Sequence, residues 1–139
     1  MTDENRRIQV AAEVVRAEEA HRATHELLRL GLLNDAVSRA YYSALHYAMA
    51  LLLTEGVEPQ THRGVGAMLG QHFIVPRKLP VDRAKDLARL EQFRSEADYN
   101  RFFVLSPEGA AEEAAVADRF RAAARAYLKG GAWLDGDSD

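Results

Sequence analysis

Arg39 and His46 are of types, and at a spacing, that can do chemistry together. Seven positions apart, they fall within about 20° of each other around an α-helix. Tyr42 and Ser43 lie between them on the same side. An arginine holds a permanent charge suited to an oxyanion, and a histidine exchanges a proton near neutral pH. Together they could bind an anion and move a proton. The same stripe could equally be a polar helix face or a buried hydrogen-bond network, and periodicity leaves both open.

A second cluster is Arg94-Ser95-Glu96-Ala97-Asp98-Tyr99-Asn100-Arg101. Arg94 and Asp98 are four apart and can form an ion pair on one helix face, with Glu91 and Arg101 extending that side. Arg94 and Tyr99 are five apart and diverge by about 140° on an ideal helix. Taken by periodicity, this cluster reads as a solvated charged face. A third candidate is Thr61-His62-Arg63 at a helix start, where free N–H groups and two basic side chains favour an anion. His62 reads equally as a plain surface residue. His21 and His25 have the i, i+4 spacing of a metal-binding helix. Position 22 is Arg rather than Glu, and no acidic or cysteine partner of the usual metal-site kind lies nearby, so no metal site is expected. Walker, dinucleotide and nucleophile-elbow motifs are absent, and no cofactor is expected.

The elements that must position these residues are helices. Apolar residues in an Ala-, Glu- and Arg-rich stretch predict a first helix over about Glu4 to Leu30, stopped by Gly31. Asn34 reads as the N-cap of a second helix running to Thr54, with a wide apolar face. Thr61 caps a third helix to about Phe73. A fourth runs from Val81 to Phe103, with Leu87, Leu90, Phe93, Ala97 and Tyr99 facing inward. Ser106-Pro107-Glu108 starts a fifth, which runs to Leu128 before Gly130-Gly131. No strand alternation or repeat interrupts them. The fold class is therefore all-α: an antiparallel bundle of four or five helices. Residues 1–130 read as one domain and 131–139 as an acidic flexible tail, with Trp133 a docking residue or a loose end.

Composition narrows the function. The chain has 139 residues, enough for one core without staples, and no cysteine, which excludes disulfides and thiolate chemistry. The formal net charge of −3 argues against a general nucleic-acid coat protein. It leaves room for a focused basic cleft. The N-terminus lacks an apolar leader pattern and Tyr47 to Leu53 is too short to span a bilayer, so a cytoplasmic protein without membrane contact is expected.

Four segments in order carry a resemblance: Arg39-Ala40-Tyr41-Tyr42-Ser43-Ala44-Leu45-His46, Ala50-Leu51-Leu52-Leu53, Thr61-His62-Arg63-Gly64-Val65, and Arg94-Ser95-Glu96-Ala97-Asp98-Tyr99-Asn100. Over residues 10 to 128 the chain resembles the HEPN family, named for higher eukaryotes and prokaryotes nucleotide-binding domains. The resemblance implies a helical bundle that dimerises through its helices. It implies a metal-independent endoribonuclease acting on RNA, as a toxin or in phage defence, with a nucleotidyltransferase antitoxin as partner. Family ribonucleases place an R-x(4–6)-H motif at the dimer interface. Arg94 matches the family arginine, but Tyr99 and Asn100 stand where histidine is usual. Arg39-x6-His46 satisfies the motif on another helix. The resemblance thus nominates Arg39, His46 and Arg94 as catalytic. Tyr42, Ser43, His62, Arg63, Asp98, Tyr99 and Asn100 become supporting or nucleotide-binding residues. Tyr99 and Tyr42 are candidates for adenylylation by the partner. The alternative is a catalytically inactive HEPN module that binds a nucleotide or a nucleotidyltransferase. A structural adaptor with both stripes at a dimer seam is a third possibility.

Overall fold

The computed structural model describes residues 2–134, so the acidic stretch 135–139 lies outside the described residues. Five helices follow in order: α1 (Asp3–Arg29), α2 (Leu33–Thr54), α3 (His62–Leu69), α4 (Val81–Tyr99) and α5 (Pro107–Gly130). No strand occurs among the described residues. The all-helical bundle expected from the periodicity is what the chain forms.

Local chemistry sets most boundaries. Thr2, Thr61 and Ser106 each accept a hydrogen bond from the backbone N–H three residues on. These side chains satisfy N–H groups that a helix start leaves unpaired. Gly31 takes φ +76°, a left-handed conformation that closes α1 and lets the chain reverse within three residues.

Three expectations need correction. Asn34 does not cap α2: Leu32 precedes the helix without a side-chain cap, and Asn34 Nδ2 donates to the Phe103 carbonyl at 3.3 Å. That bond ties the start of α2 to the α4–α5 connection instead. The fourth helix stops at Tyr99, not Phe103. Asn100 turns to extended backbone, and its Oδ1 accepts from Phe102 N–H at 3.1 Å. This local bond competes with helix continuation. Tyr99 is 78% exposed rather than inward. The third helix ends at Leu69 and widens into a π-helical turn, Gly70–Ile74, which buries Phe73.

α2 is the central helix. Fifteen of its residues are buried, among them Tyr41, Leu45, Tyr47, Leu51 and Leu52. The core joins them to Val10, Val14 and Ala17 of α1, Leu87 and Leu90 of α4, and Val116, Phe120 and Leu128 of α5. Such a helix gains its stability from burying apolar area on nearly all sides. α1 runs antiparallel to α2, as shown by contacts from Arg6 to the Thr54 carbonyl, Glu13 to His46 and Glu18 to Tyr47. α4 and α5 are likewise antiparallel, joined by Arg89 to Glu113 and Arg119 to Asp86. A smaller cluster of Val37, Leu105 and Ala110, with Phe93 and Phe103 against it, fills the other end. Trp133 packs against the core beneath the Arg7 guanidinium, which also donates to the Ala132 carbonyl at 2.9 Å. No described helix is long and apolar enough to cross a membrane.

Candidate functional site

The α1–α2 hairpin presents a groove of about 470 Å³, lined by Arg16, Glu19, Ala20 and Ala23 of α1 and by Arg39, Tyr42 and His46 of α2. The two alanines keep the α1 side low, so the α2 side chains form the opposite wall. Three of the four stripe residues therefore share one surface. Ser43 does not: it is buried, and its Oγ has no hydrogen-bond partner among the described residues.

Tyr42 is the hub. The Arg39 guanidinium stacks over its ring at 4.6 Å, and the Arg94 guanidinium lies 5.9 Å from the same ring and 4.9 Å from that of Tyr41. Tyr41 and Tyr42 meet edge to face, and the His62 ring lies 6.1 Å from Tyr42. Two arginines, one histidine and a tyrosine from α2, α3 and α4 thus gather beside the groove. Stacking of this kind orients a guanidinium while leaving N–H donors free for a ligand. Burial pushes the Tyr41 hydroxyl up to about 12, with the Glu91 charge adding to the shift and Arg94 opposing it. Tyr41 is thus a neutral platform.

His46 is oriented by a residue that sequence reasoning missed. Its Nδ1 lies 2.6 Å from Glu13 Oε2. A carboxylate there favours Nδ1–H as donor, which leaves Nε2 as the proton-exchanging atom. Glu13 lies on an Ala-Glu-Arg helix face and carries no local signal. Only knowing that α1 packs against α2 could have singled it out. Ser38 was also missed: its hydroxyl bonds Asp98 at 2.5 Å, and Asp98 lies 3.7 Å from Arg94. Asp98 thus links α2 to α4 and steadies Arg94. Burial disfavours the Arg94 charge, but Tyr42, Tyr41 and Asp98 outweigh it and raise its pKa.

The remaining candidates lie apart from this hub. Arg63 is exposed. Tyr99 is exposed, and Asn100 binds Glu96 through its side-chain amide at 2.9 Å.

The model for the HEPN domain matches residues 12–127. This chain belongs to the HEPN family. A UPF0332 protein of Pyrococcus horikoshii is 49% identical over 57 residues, covering 41% of this HEPN chain and 40% of the relative. Two Methanocaldococcus jannaschii proteins, each named "Putative toxin", are 32% identical over 97 residues and 36% identical over 93. Those matches take in 70% and 67% of this chain and 66% and 69% of the relatives. The chain therefore spans two fifths of the first relative and about two thirds of the other two. The HEPN match begins within α1 and ends within α5, so it encloses the groove, its tyrosine hub and Glu13.

Proposed function

We propose that this HEPN chain is a toxin that cleaves RNA without a metal ion, works as a homodimer and is restrained by a nucleotidyltransferase antitoxin. The observation that carries the reading is the pairing of a carboxylate-oriented His46 with Arg39 along one groove, with Arg94 behind their shared tyrosine. The names of the two Methanocaldococcus relatives support the toxin assignment.

In this scheme a phosphodiester lies against Arg39, with Arg94 adding positive potential through the Tyr42 ring. His46 Nε2 takes the 2′-hydroxyl proton. The 2′-oxygen attacks phosphorus, and the 5′-oxygen leaves with a proton from the second copy's His46. The products are a 2′,3′-cyclic phosphate and a 5′-hydroxyl. The arginines stabilise the charge that builds on the phosphorane oxygens.

The test is incubation of the purified protein with end-labelled RNA in EDTA. Cleavage leaving cyclic-phosphate ends is expected, reduced by about 10² or more in His46→Ala. If wild-type protein leaves RNA intact and His46→Ala relieves no growth arrest in cells, the ribonuclease reading falls. The exposed Tyr99, where family ribonucleases carry histidine, favours a second reading: an inactive module that binds a nucleotide or a nucleotidyltransferase. Partner binding without cleavage would select it.

A further inference from the structure

The face of α1 turned away from the groove carries a second cluster. Ala20 and Ala23 line the groove, whereas His21 and His25 are rotated from them by more than about 100° and meet α5. His21 Nδ1 lies 3.3 Å, and His25 Nε2 3.0 Å, from the same atom, Asp118 Oδ1. The candidate ligand atoms all lie within 4.8 Å of one another. The two imidazole rings stand at 72° with centroids 4.9 Å apart, and each turns one nitrogen toward Asp118 Oδ1. Asp118, brought in from α5, is the carboxylate that the fold places against the i, i+4 histidine pair.

We propose that His21, His25 and Asp118 form a binding site for a divalent transition-metal ion, with Zn²⁺ as the reference ion, that clamps α1 to α5. Metal–ligand bonds of about 2.0–2.2 Å put neighbouring ligand atoms about 2.9 Å apart in octahedral and about 3.4 Å apart in tetrahedral geometry. Both histidine–carboxylate separations fall in or near that range. Two imidazoles and one carboxylate suit Zn²⁺, Co²⁺ or Ni²⁺ and not a hard ion such as Mg²⁺. His25 and Asp118 are partly exposed, so an ion enters from solvent and water completes its coordination. Arg121, the positive group felt most strongly by His21, is held by Glu18 through two hydrogen bonds of 2.7 and 2.8 Å. The site is separate from the groove, so ion binding and RNA cleavage succeed or fail independently.

The test is calorimetric titration of EDTA-treated, dialysed full-length protein with ZnCl₂, with the Co²⁺ absorption spectrum as a second readout. Expected are one ion per chain, a raised thermal midpoint with Zn²⁺ and no response to Mg²⁺. His25→Ala and Asp118→Asn should weaken binding by more than about 100-fold, beyond the roughly 10–100-fold cost of a lost outer-shell partner. Both variants should keep the wild-type helical circular dichroism, and His72→Ala, in the Gly70–Ile74 turn and outside the cluster, should bind as wild type does. The proposal is overturned if excess Zn²⁺ produces no heat and no Co²⁺ spectrum appears. It is equally overturned if both variants bind as wild type does. In either case the cluster is only a carboxylate hydrogen-bonded by two imidazoles.

Discussion

Two polar clusters occupy opposite sides of the α1–α2 hairpin, and they use the same residue types. On the α5 side, Glu18 accepts from Arg121 at 2.7 and 2.8 Å and from the Tyr47 hydroxyl, which in turn accepts from Arg125 at 3.1 Å. On the groove side, Arg39 stacks on Tyr42 and makes no ion pair among the described residues, while Arg94 keeps one 3.7 Å contact with Asp98. Burial does not separate the two: the Glu18 and His46 side chains are 22% and 21% exposed. Saturation does. The α5-side network is closed on itself, whereas the groove holds guanidinium groups on tyrosine faces with donors to spare. A closed network supports the fold; an open one is available to a ligand.

The sharpest way to break this contrast is Glu18→Ala. It removes the carboxylate that accepts from Arg121 and from the buried Tyr47 hydroxyl, and should cost about 3 kcal/mol in urea unfolding. His46→Ala, which breaks one partly exposed pair with Glu13, and Arg39→Ala, which breaks no ion pair among the described residues, should each cost less than about 1 kcal/mol. If Glu18→Ala were as mild as Arg39→Ala, saturation would not be what distinguishes the clusters.

Acid should unfold the protein through the same network. Burial pushes the Glu18 carboxyl up, but hydrogen bonds from Arg121 and Tyr47 and the charges of Arg121 and Arg125 outweigh it and bring it down to about 2. A carboxylate with a lowered folded pKa stabilises fully above its unfolded value of 4.5 and loses that contribution as pH falls toward 2. The loss is on the order of 2–3 kcal/mol, and urea midpoints between pH 6 and pH 2.5 would measure it. Glu18→Gln should flatten that slope. An unchanged slope would assign acid sensitivity to other carboxylates.

The bundle was legible because its signals are local: apolar spacing, the Thr61 and Ser106 caps and Gly31. The stripe on α2 was legible for the same reason, since Arg39 and His46 share a helix face by arithmetic. What sequence could not supply was anything joined across helices. Glu13, Glu18 and Arg121 sit in Ala-rich amphipathic runs where every charge looks solvated, and only packing decides which are paired. Asn34 misled for a related reason: its amide satisfies a carbonyl 69 residues away instead of its own helix start. Tyr99 looked inward because α4 was extended past Asn100, whose side chain ends it.

Within the groove-side cluster Arg94 is the most buried cation, its side chain 14% exposed and stacked on Tyr41 and Tyr42. Arg94→Ala should cost about 1–2 kcal/mol through lost stacking on Tyr41 and Tyr42 and also lower RNA cleavage. Arg94→Lys should recover less than its charge suggests, because an ammonium lacks the planar stacking surface. Full recovery of both stability and cleavage would mean that charge alone matters there.

The smallest effects distinguish the two tyrosines. Tyr99→Phe removes one hydroxyl from an exposed ring and should change stability by less than about 0.5 kcal/mol. Tyr42→Phe keeps the face on which Arg39 and Arg94 stack, so it too should fold normally. Either change removes the only atom an adenylyl group could occupy on that residue. Intact-mass measurement after co-expression with the proposed nucleotidyltransferase partner should show the nucleotide mass lost in Tyr99→Phe and kept in Tyr42→Phe. The reason is access: the Tyr99 ring stands in solvent, while Tyr42 is wedged among two guanidinium groups and two rings. A mass shift that follows Tyr42 instead would mean that the partner reaches into the groove and blocks it directly.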